Sequence, residues 1–299
     1  MLVTMKEILV EASKGNYAVA APNVGSEIDA RAAIEVAEEI NSPLILDVGF
    51  TANPDIHFMG QMCRGLAEMS SVPVCINLDH GASMEQCVKA IQAGFTSVMI
   101  DRSAEEYDKN VADVKAVVDI AHLCGVSVEA ELGHVGQASN AEEDTKSHLT
   151  EPEVAKAYIE ATGVDCLAVA IGTAHGAYPK GFVPKLDVDR LKAIKEAVGQ
   201  DFPLVLHGSS GTPEDQLKVV CSNGINKVNI ANDLCNAMTA ALNERHLEGQ
   251  AAYEVWAVMT EAFKAKLNHM MSEVYCSAGK SFPVEGGLAK GGVASMEEK

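Results

Sequence analysis

Three histidines close apolar runs and are each followed by glycine: His80 in VPVCINLDHG, His175 in LAVAIGTAHG and His207 in PLVLHG. Three imidazoles with an open position are the ligand set of a catalytic zinc site. The glycines let a ligand or a metal approach the backbone closely. One such histidine reads as a satisfied structural residue; three at the ends of three runs call for a common site. The remaining histidines, 57, 122, 134, 148, 246 and 269, fall in helices or loops and keep the ordinary reading. Asp79 stands directly before His80. Neighbouring strand residues point to opposite faces, so the two share one site only if the strand breaks there. Asp79 is then either a general acid/base or a carboxylate that orients an imidazole.

Eight apolar runs alternate with helical stretches: YAVAAPN, PLILDVG, VPVCINLDH, FTSVMID, VSVEAELG, VDCLAVAIG, PLVLHG and INKVNIA. Runs without polar alternation are buried on both faces, as in a parallel sheet. Eight strand–helix units point to a closed (β/α)8 TIM barrel of the α/β class, with an open doubly wound sheet as the alternative. No GxGxxG follows the first run, which removes the main support for a dinucleotide site. In such a barrel the C-terminal strand ends converge on one mouth. They carry Asn23, Asp47, Asp79 with His80, Asp101, Glu129 with Glu131, His175, His207 and Asn229. HGSSG and NIAND follow the last two runs, where barrels bind phosphate through backbone amides and small hydroxyls. Lys180 adds a positive charge nearby, and the polar stretch 133–150 has the make-up of a lid carrying Glu142 and Glu143.

The chain has 299 residues, 47% hydrophobic and 22% charged, with a formal net charge of -19. This suits a large folded core and disfavours nucleic acid and anionic membrane as partners. An anionic substrate would need a local positive site, which a divalent metal can supply. The eight cysteines are scattered without a CxxC pair, as expected for reduced thiols in the cytoplasm. The N-terminus reads as an amphipathic helix rather than a signal peptide, and no apolar run approaches the roughly 20 residues of a membrane span. A helix with Trp256 follows the last unit and packs on the barrel or on another subunit. Residues 1–281 read as one domain and 282–299 as a disordered tail.

NLDHG, GFTSVMIDRS, GVSVEAELGHVG, LAVAIGTAHGAY, PLVLHGSSG and INKVNIAND together resemble the class II, metal-dependent ketose-bisphosphate aldolases, which act on fructose 1,6-bisphosphate or tagatose 1,6-bisphosphate. The resemblance runs in order over about residues 1–281. It implies a TIM barrel and reversible cleavage of a ketose (bis)phosphate to dihydroxyacetone phosphate and an aldehyde. It implies His80, His175 and His207 as zinc ligands and Asp79 as the residue that moves the proton of the aldehyde oxygen. Asp101 and Glu131 match carboxylates of a second or alternative position, divalent or monovalent. Gly176, Gly208, Ser209, Ser210, Asn229, Ala231 and Asn232 match the contacts of the phosphorylated half, and Asn23 is a further substrate-binding candidate. Glu142 or Glu143 would shuttle a proton from the loop. A homodimer or homotetramer is the family's common state.

The chain departs from the family pattern around this core. Pro22, Gly25 and Ser26 flank Asn23, Ser209 stands where Gly or Ala is usual, and Asn232 where Thr or Ser is usual. Asp47 near the second strand end is expected to oppose a second phosphate. Three alternatives remain: an aldolase-like barrel for another phosphorylated sugar, another metal-dependent barrel enzyme such as an epimerase or hydrolase, and a non-catalytic partner subunit.

Overall fold

Each of the eight apolar runs is a strand. The structure, a computed structural model, describes residues 1–140, 145–146, 148–245 and 247–284. The strands are β1 (Val19–Pro22), β2 (Leu44–Val48), β3 (Val74–Gly81), β4 (Ser97–Ile100), β5 (Ser127–Leu132), β6 (Cys166–Val169), β7 (Leu204–Leu206) and β8 (Ile225–Ile230). Between them run α2 (Glu27–Glu39), α3 (Ile56–Met69), α4 (Met84–Ala93), α5 (Tyr107–Leu123), α6 (Pro152–Thr162), α7 (Val188–Val198) and α8 (Glu214–Cys221). α1 (Met5–Gly15) precedes the barrel; α9 (Asn232–Asn243) and α10 (Val255–His269) follow it. The sheet is parallel throughout, in the order β1-β8-β7-β6-β5-β4-β3-β2. The seam between β1 and β2 is joined by one bridge, Asn23 to Asp47, with the Val24 N–H donating to the Asp47 carbonyl at 2.9 Å. That ring of strands is the TIM barrel and rules out the open doubly wound sheet.

Side chains alternate along the strands, and the two faces bury different cores. Leu44, Leu46, Val48, Ile76 and Leu78 face the helices, in the larger apolar cluster. Val19, Ile45, Cys75, Cys166, Ala168 and Val205 point into the barrel and pack against Met5, Ile8, Leu9 and Ala12 of α1. α1 therefore plugs the N-terminal end of the barrel. A capping box of Thr4 and Glu7 starts it, and Asn16 ends it in the left-handed region at φ 50°. Phe282 and Val284 pack on the same cluster. Higher in the barrel the inward positions turn polar: Asp47, Asn77, Glu129, Glu131, His207 and Lys227 are all buried. The apolar half is filled at the bottom, and the chemistry-bearing half opens at the C-terminal strand ends. No helix among the described residues is long and apolar enough to cross a membrane.

Lys195 of α7 ties this lower end together. Its side chain is buried, and its ammonium donates to the carbonyls of Gln200 at 2.8 Å and Phe202 at 2.7 Å and to the Ser13 hydroxyl at 3.1 Å. Burial lowers its pKa from 10.5 to about 8. The unfolded chain therefore holds this proton more tightly than the folded one between those values. Folding is penalised below about pH 8, and the penalty is relieved as pH rises to 10.5. The difference amounts to on the order of 3 kcal/mol. Urea unfolding of wild type and Lys195→Met at neutral pH and near pH 10.5 should show wild type gaining on the variant by that order. An unchanged gap would contradict the burial of a charged Lys195.

Candidate active site

The adjacency of Asp79 and His80 is resolved by a break in β3. The register against β4 shifts between Leu78 and Gly81. His80 sits at φ 48°, in the left-handed region that non-glycine residues enter at a cost of roughly 1–2 kcal/mol. The turn brings both side chains onto the mouth of the barrel, where they line the same recesses. Gly81 is needed next, because a Cβ there would lie 2.6 Å from the Met99 carbonyl oxygen and 2.9 Å from Leu78.

The three histidines of the sequence converge. Ring centroids are 4.6 Å apart for His80 and His207, 4.9 Å for His80 and His175, and 5.7 Å for His175 and His207. Two carboxylates set which ring nitrogens face inward. Asp101 lies 2.8 Å from His80 Nδ1, and Glu129 lies 2.8 Å from His207 Nε2. A carboxylate accepts, so each of those nitrogens carries the proton. The other two, His80 Nε2 and His207 Nδ1, face each other at 2.9 Å, a spacing held by one proton between them or by an ion that both ligate. Glu131 completes the set. One oxygen accepts the Val135 N–H at 2.9 Å, and the other is buried with no hydrogen-bond partner, 3.5 Å from His207 Nδ1. Ligand atoms of His80, Glu131, His175 and His207 all lie within 4.8 Å of one another. This nitrogen and oxygen donor set fits a zinc-like divalent ion.

Burial works to lower the His80 pKa, but Asp79, Asp101 and Glu131 outweigh it and push it up to about 10, so without an ion His80 holds a second proton, on Nε2, that a metal must displace. Burial and the two neighbouring imidazoles bring His175 down to about 3, so it stays neutral and able to ligate. Asp101 supports His80 rather than joining the converging set, while Glu131 belongs to it.

Beneath the imidazoles lies a buried ionic network that the sequence reading did not assign. The Lys227 ammonium donates to Glu129 Oε2 and to Asn229 Oδ1, each at 2.8 Å, and lies 3.2 Å from Asp47 Oδ2. Burial works against its charge, but Asp47, Glu129 and Asp79 raise its pKa well above the ordinary value. Glu129 passes this anchoring to His207. Asn229 passes it to Asp79, donating to Oδ1 at 3.0 Å, while Asn23 donates to Oδ2 at 2.7 Å. Asn23 and Asn229, expected to touch substrate, thus also fix Asp79. Asp47, expected to oppose a phosphate at the rim, is instead fully buried, held by Lys227 and by the Asn77 amide at 2.8 Å. The available signal was a lysine in register with Asn229 on a strand buried on both faces.

Two recesses meet at Asp79, His80 and His175. The smaller, of about 150 Å³, is walled by Gly176, Gly208, Ser209, Ser210, Asn229, Ala231 and Asn232. Gly208 sits at φ +64°, and a Cβ would strike the Ala174 carbonyl at 2.6 Å. α9 begins here with no side-chain bond from its N-cap residue Ala231, which leaves a helix N-terminus suited to an anion. The larger recess, of about 700 Å³, opens toward α2, α9 and α10. Lys180 is exposed and lines neither. Glu142 and Glu143 lie outside the described residues.

Fold and site define a (β/α)8 barrel with His80, Glu131, His175 and His207 converging at its C-terminal mouth, placed so that they could hold a metal ion. The family described as fructose-bisphosphate aldolase class-II matches residues 3–280, and the chain belongs to that family. It is 39% identical over 291 residues to the fructose-bisphosphate aldolase of Geobacillus stearothermophilus, covering 94% of this chain and 99% of that one. It is 40% identical over 268 residues to the Thermus caldophilus fructose-bisphosphate aldolase, covering 82% and 87%. Among solved structures it resembles the YdjI aldolase of Escherichia coli, with a TM-score of 0.83, 33% identity and coverage of 94% and 100%.

Removing the Lys227 ammonium should leave Glu129 and Asp47 buried without a cation, at a cost of roughly 3–5 kcal/mol. Urea unfolding of Lys227→Met should show that loss, and adding Glu129→Gln with Asp47→Asn should restore part of it. A loss below about 1 kcal/mol would contradict the network's role.

Proposed function

We propose that the enzyme cleaves a ketose 1-phosphate reversibly to dihydroxyacetone phosphate and an aldehyde, with zinc as the resident ion. The carrying observation is that the Asp79 carboxylate and three converging imidazoles face one mouth beside a recess walled by glycines, serines and the start of α9. His80 Nε2, His175 and His207 Nδ1 would hold the ion, with Glu131 beside them and Asp101 orienting His80. When bound, the ion supplies Lewis acidity toward the carbonyl of the substrate.

The chain's own groups do the rest. Burial works to raise the Asp79 carboxyl, but the positive charge gathered at His80 and His207, the Lys227 ammonium and the Asn23 amide hold it below the usual carboxylate range. At neutral pH Asp79 is ionised and accepts the C4 hydroxyl proton. The C3–C4 bond breaks, and its electron pair passes to the dihydroxyacetone phosphate half, which takes up a proton at C3. C4 leaves as the aldehyde carbon. Gly208, Ser209, Ser210 and the start of α9 hold the phosphate, with Gly176 across the recess. Glu142 or Glu143 brings the C3 proton. Lys227 is protonated and walled in by Glu129 and Asp47, so a Schiff base through it does not enter. Fructose and tagatose 1,6-bisphosphates, which the resemblance implies, share this half and differ at C4.

In deuterated water the enzyme should exchange one hydrogen of the hydroxymethyl carbon of dihydroxyacetone phosphate, the carbon that becomes C3 of the ketose, and chelation should stop it. Absence of exchange from metal-replete protein would refute the reading. Asp79→Asn should keep stoichiometric metal and lose cleavage by about 10²–10⁴-fold. His207→Ala should lose the metal and stay folded by circular dichroism. If Asp79→Asn loses the metal instead, Asp79 is a structural carboxylate.

A further inference from the structure

We infer that the aldehyde half of the substrate carries no phosphate, so that the ketose is phosphorylated only at the end held by the smaller recess. This rests on the aldolase reading above. The two recesses share Asn23, Asp79, His80, His175 and Ala231 and differ in the rest of their walls. The smaller has glycine and serine walls and the N-terminus of α9. The larger must take the other end of the ketose, and no lysine or arginine lines it among the described residues. Its charged members besides Asp79 and the histidines are Asp29 and Asp101, and its deep wall is Phe50, Leu234, Met238 and Phe263.

The remaining way to hold a phosphate is a helix N-terminus. α9 starts at the border of the two recesses, with Asn232 lining only the smaller, and α2, at this wall, carries a carboxylate in its own first turn. The Asp29 carboxylate accepts the N–H groups of Gly25 at 2.9 Å and Ser26 at 2.8 Å, and the Ser26 hydroxyl at 2.7 Å. A phosphate placed here would face carboxylates with its own charge uncompensated, in a chain whose formal net charge is -19. The internal stretches outside the described residues, 141–144, 147 and 246, contain no lysine or arginine to change this. An uncharged hydroxyaldehyde meets no such cost. Its carbon chain lies along the apolar wall, and its hydroxyls meet uncharged polar groups such as Thr51 at the lip.

The test is condensation by the metal-replete, full-length enzyme in its native assembly, with dihydroxyacetone phosphate as donor. Glyceraldehyde 3-phosphate is compared with unphosphorylated glyceraldehyde and glycolaldehyde. The expected result is a kcat/KM at least tenfold higher for an unphosphorylated aldehyde. Equal efficiency, preference for glyceraldehyde 3-phosphate, or turnover of neither class overturns the inference, including the case in which a partner subunit supplies the missing cation. Hydrogen exchange at the hydroxymethyl carbon of dihydroxyacetone phosphate is measured alongside. Exchange with a preference for the phosphorylated aldehyde defeats this inference alone; no exchange defeats the aldolase reading and the inference with it.

Discussion

The buried Lys227 ammonium is the contact on which the site depends. It sits inside the barrel with no exposure and is shared by Glu129, Asp47 and Asn229. An unpaired charge at that depth would be very costly, so the pairing must be complete for the barrel to close around it. Its partners point upward. Glu129 fixes the ring of His207, and Asn229 fixes the carboxylate of Asp79. A single cation below the mouth thereby sets both the face a ligand nitrogen presents and the orientation of the proton acceptor. The apolar lower half, plugged by α1, keeps water from this network.

Backbone geometry adds the second constraint. A regular strand would send Asp79 and His80 to opposite faces. The slip against β4 and the left-handed His80 put both at the mouth, and Gly81 allows the close pass over Met99. Local strain of this kind persists where the surrounding structure fixes it. Here β4 and Asp101 do so, since the Asp101 N–H donates to the Gly81 carbonyl at 3.0 Å while its carboxylate meets His80.

Much of this was legible in the chain. The eight strands follow from apolar runs without alternation, and His80, His175 and His207 stand at strand ends beside glycine. What escaped was polar and interior. Asp47 lies one residue before the end of β2, and its number alone does not say whether it faces the mouth or a buried partner. The partner, Lys227, is 180 residues away in sequence order, so the pair is visible only once β1 and β8 are neighbours. Asn23 and Asn229 were read as substrate contacts because amides at a barrel mouth serve either role. The bonds to Asp79 come from the ends of β1 and β8, which only barrel closure brings within reach of the end of β3.

The central claim is that carboxylates behind the imidazoles choose the ligating nitrogens. Anomalous diffraction at the zinc edge on zinc-loaded crystals tests it directly. The account predicts one fully occupied ion within bonding distance of His80 Nε2, His207 Nδ1 and a ring nitrogen of His175, with Asp101 and Glu129 still on the opposite nitrogens. An ion bound through His80 Nδ1 or His207 Nε2, or one placed away from the three rings, would contradict it.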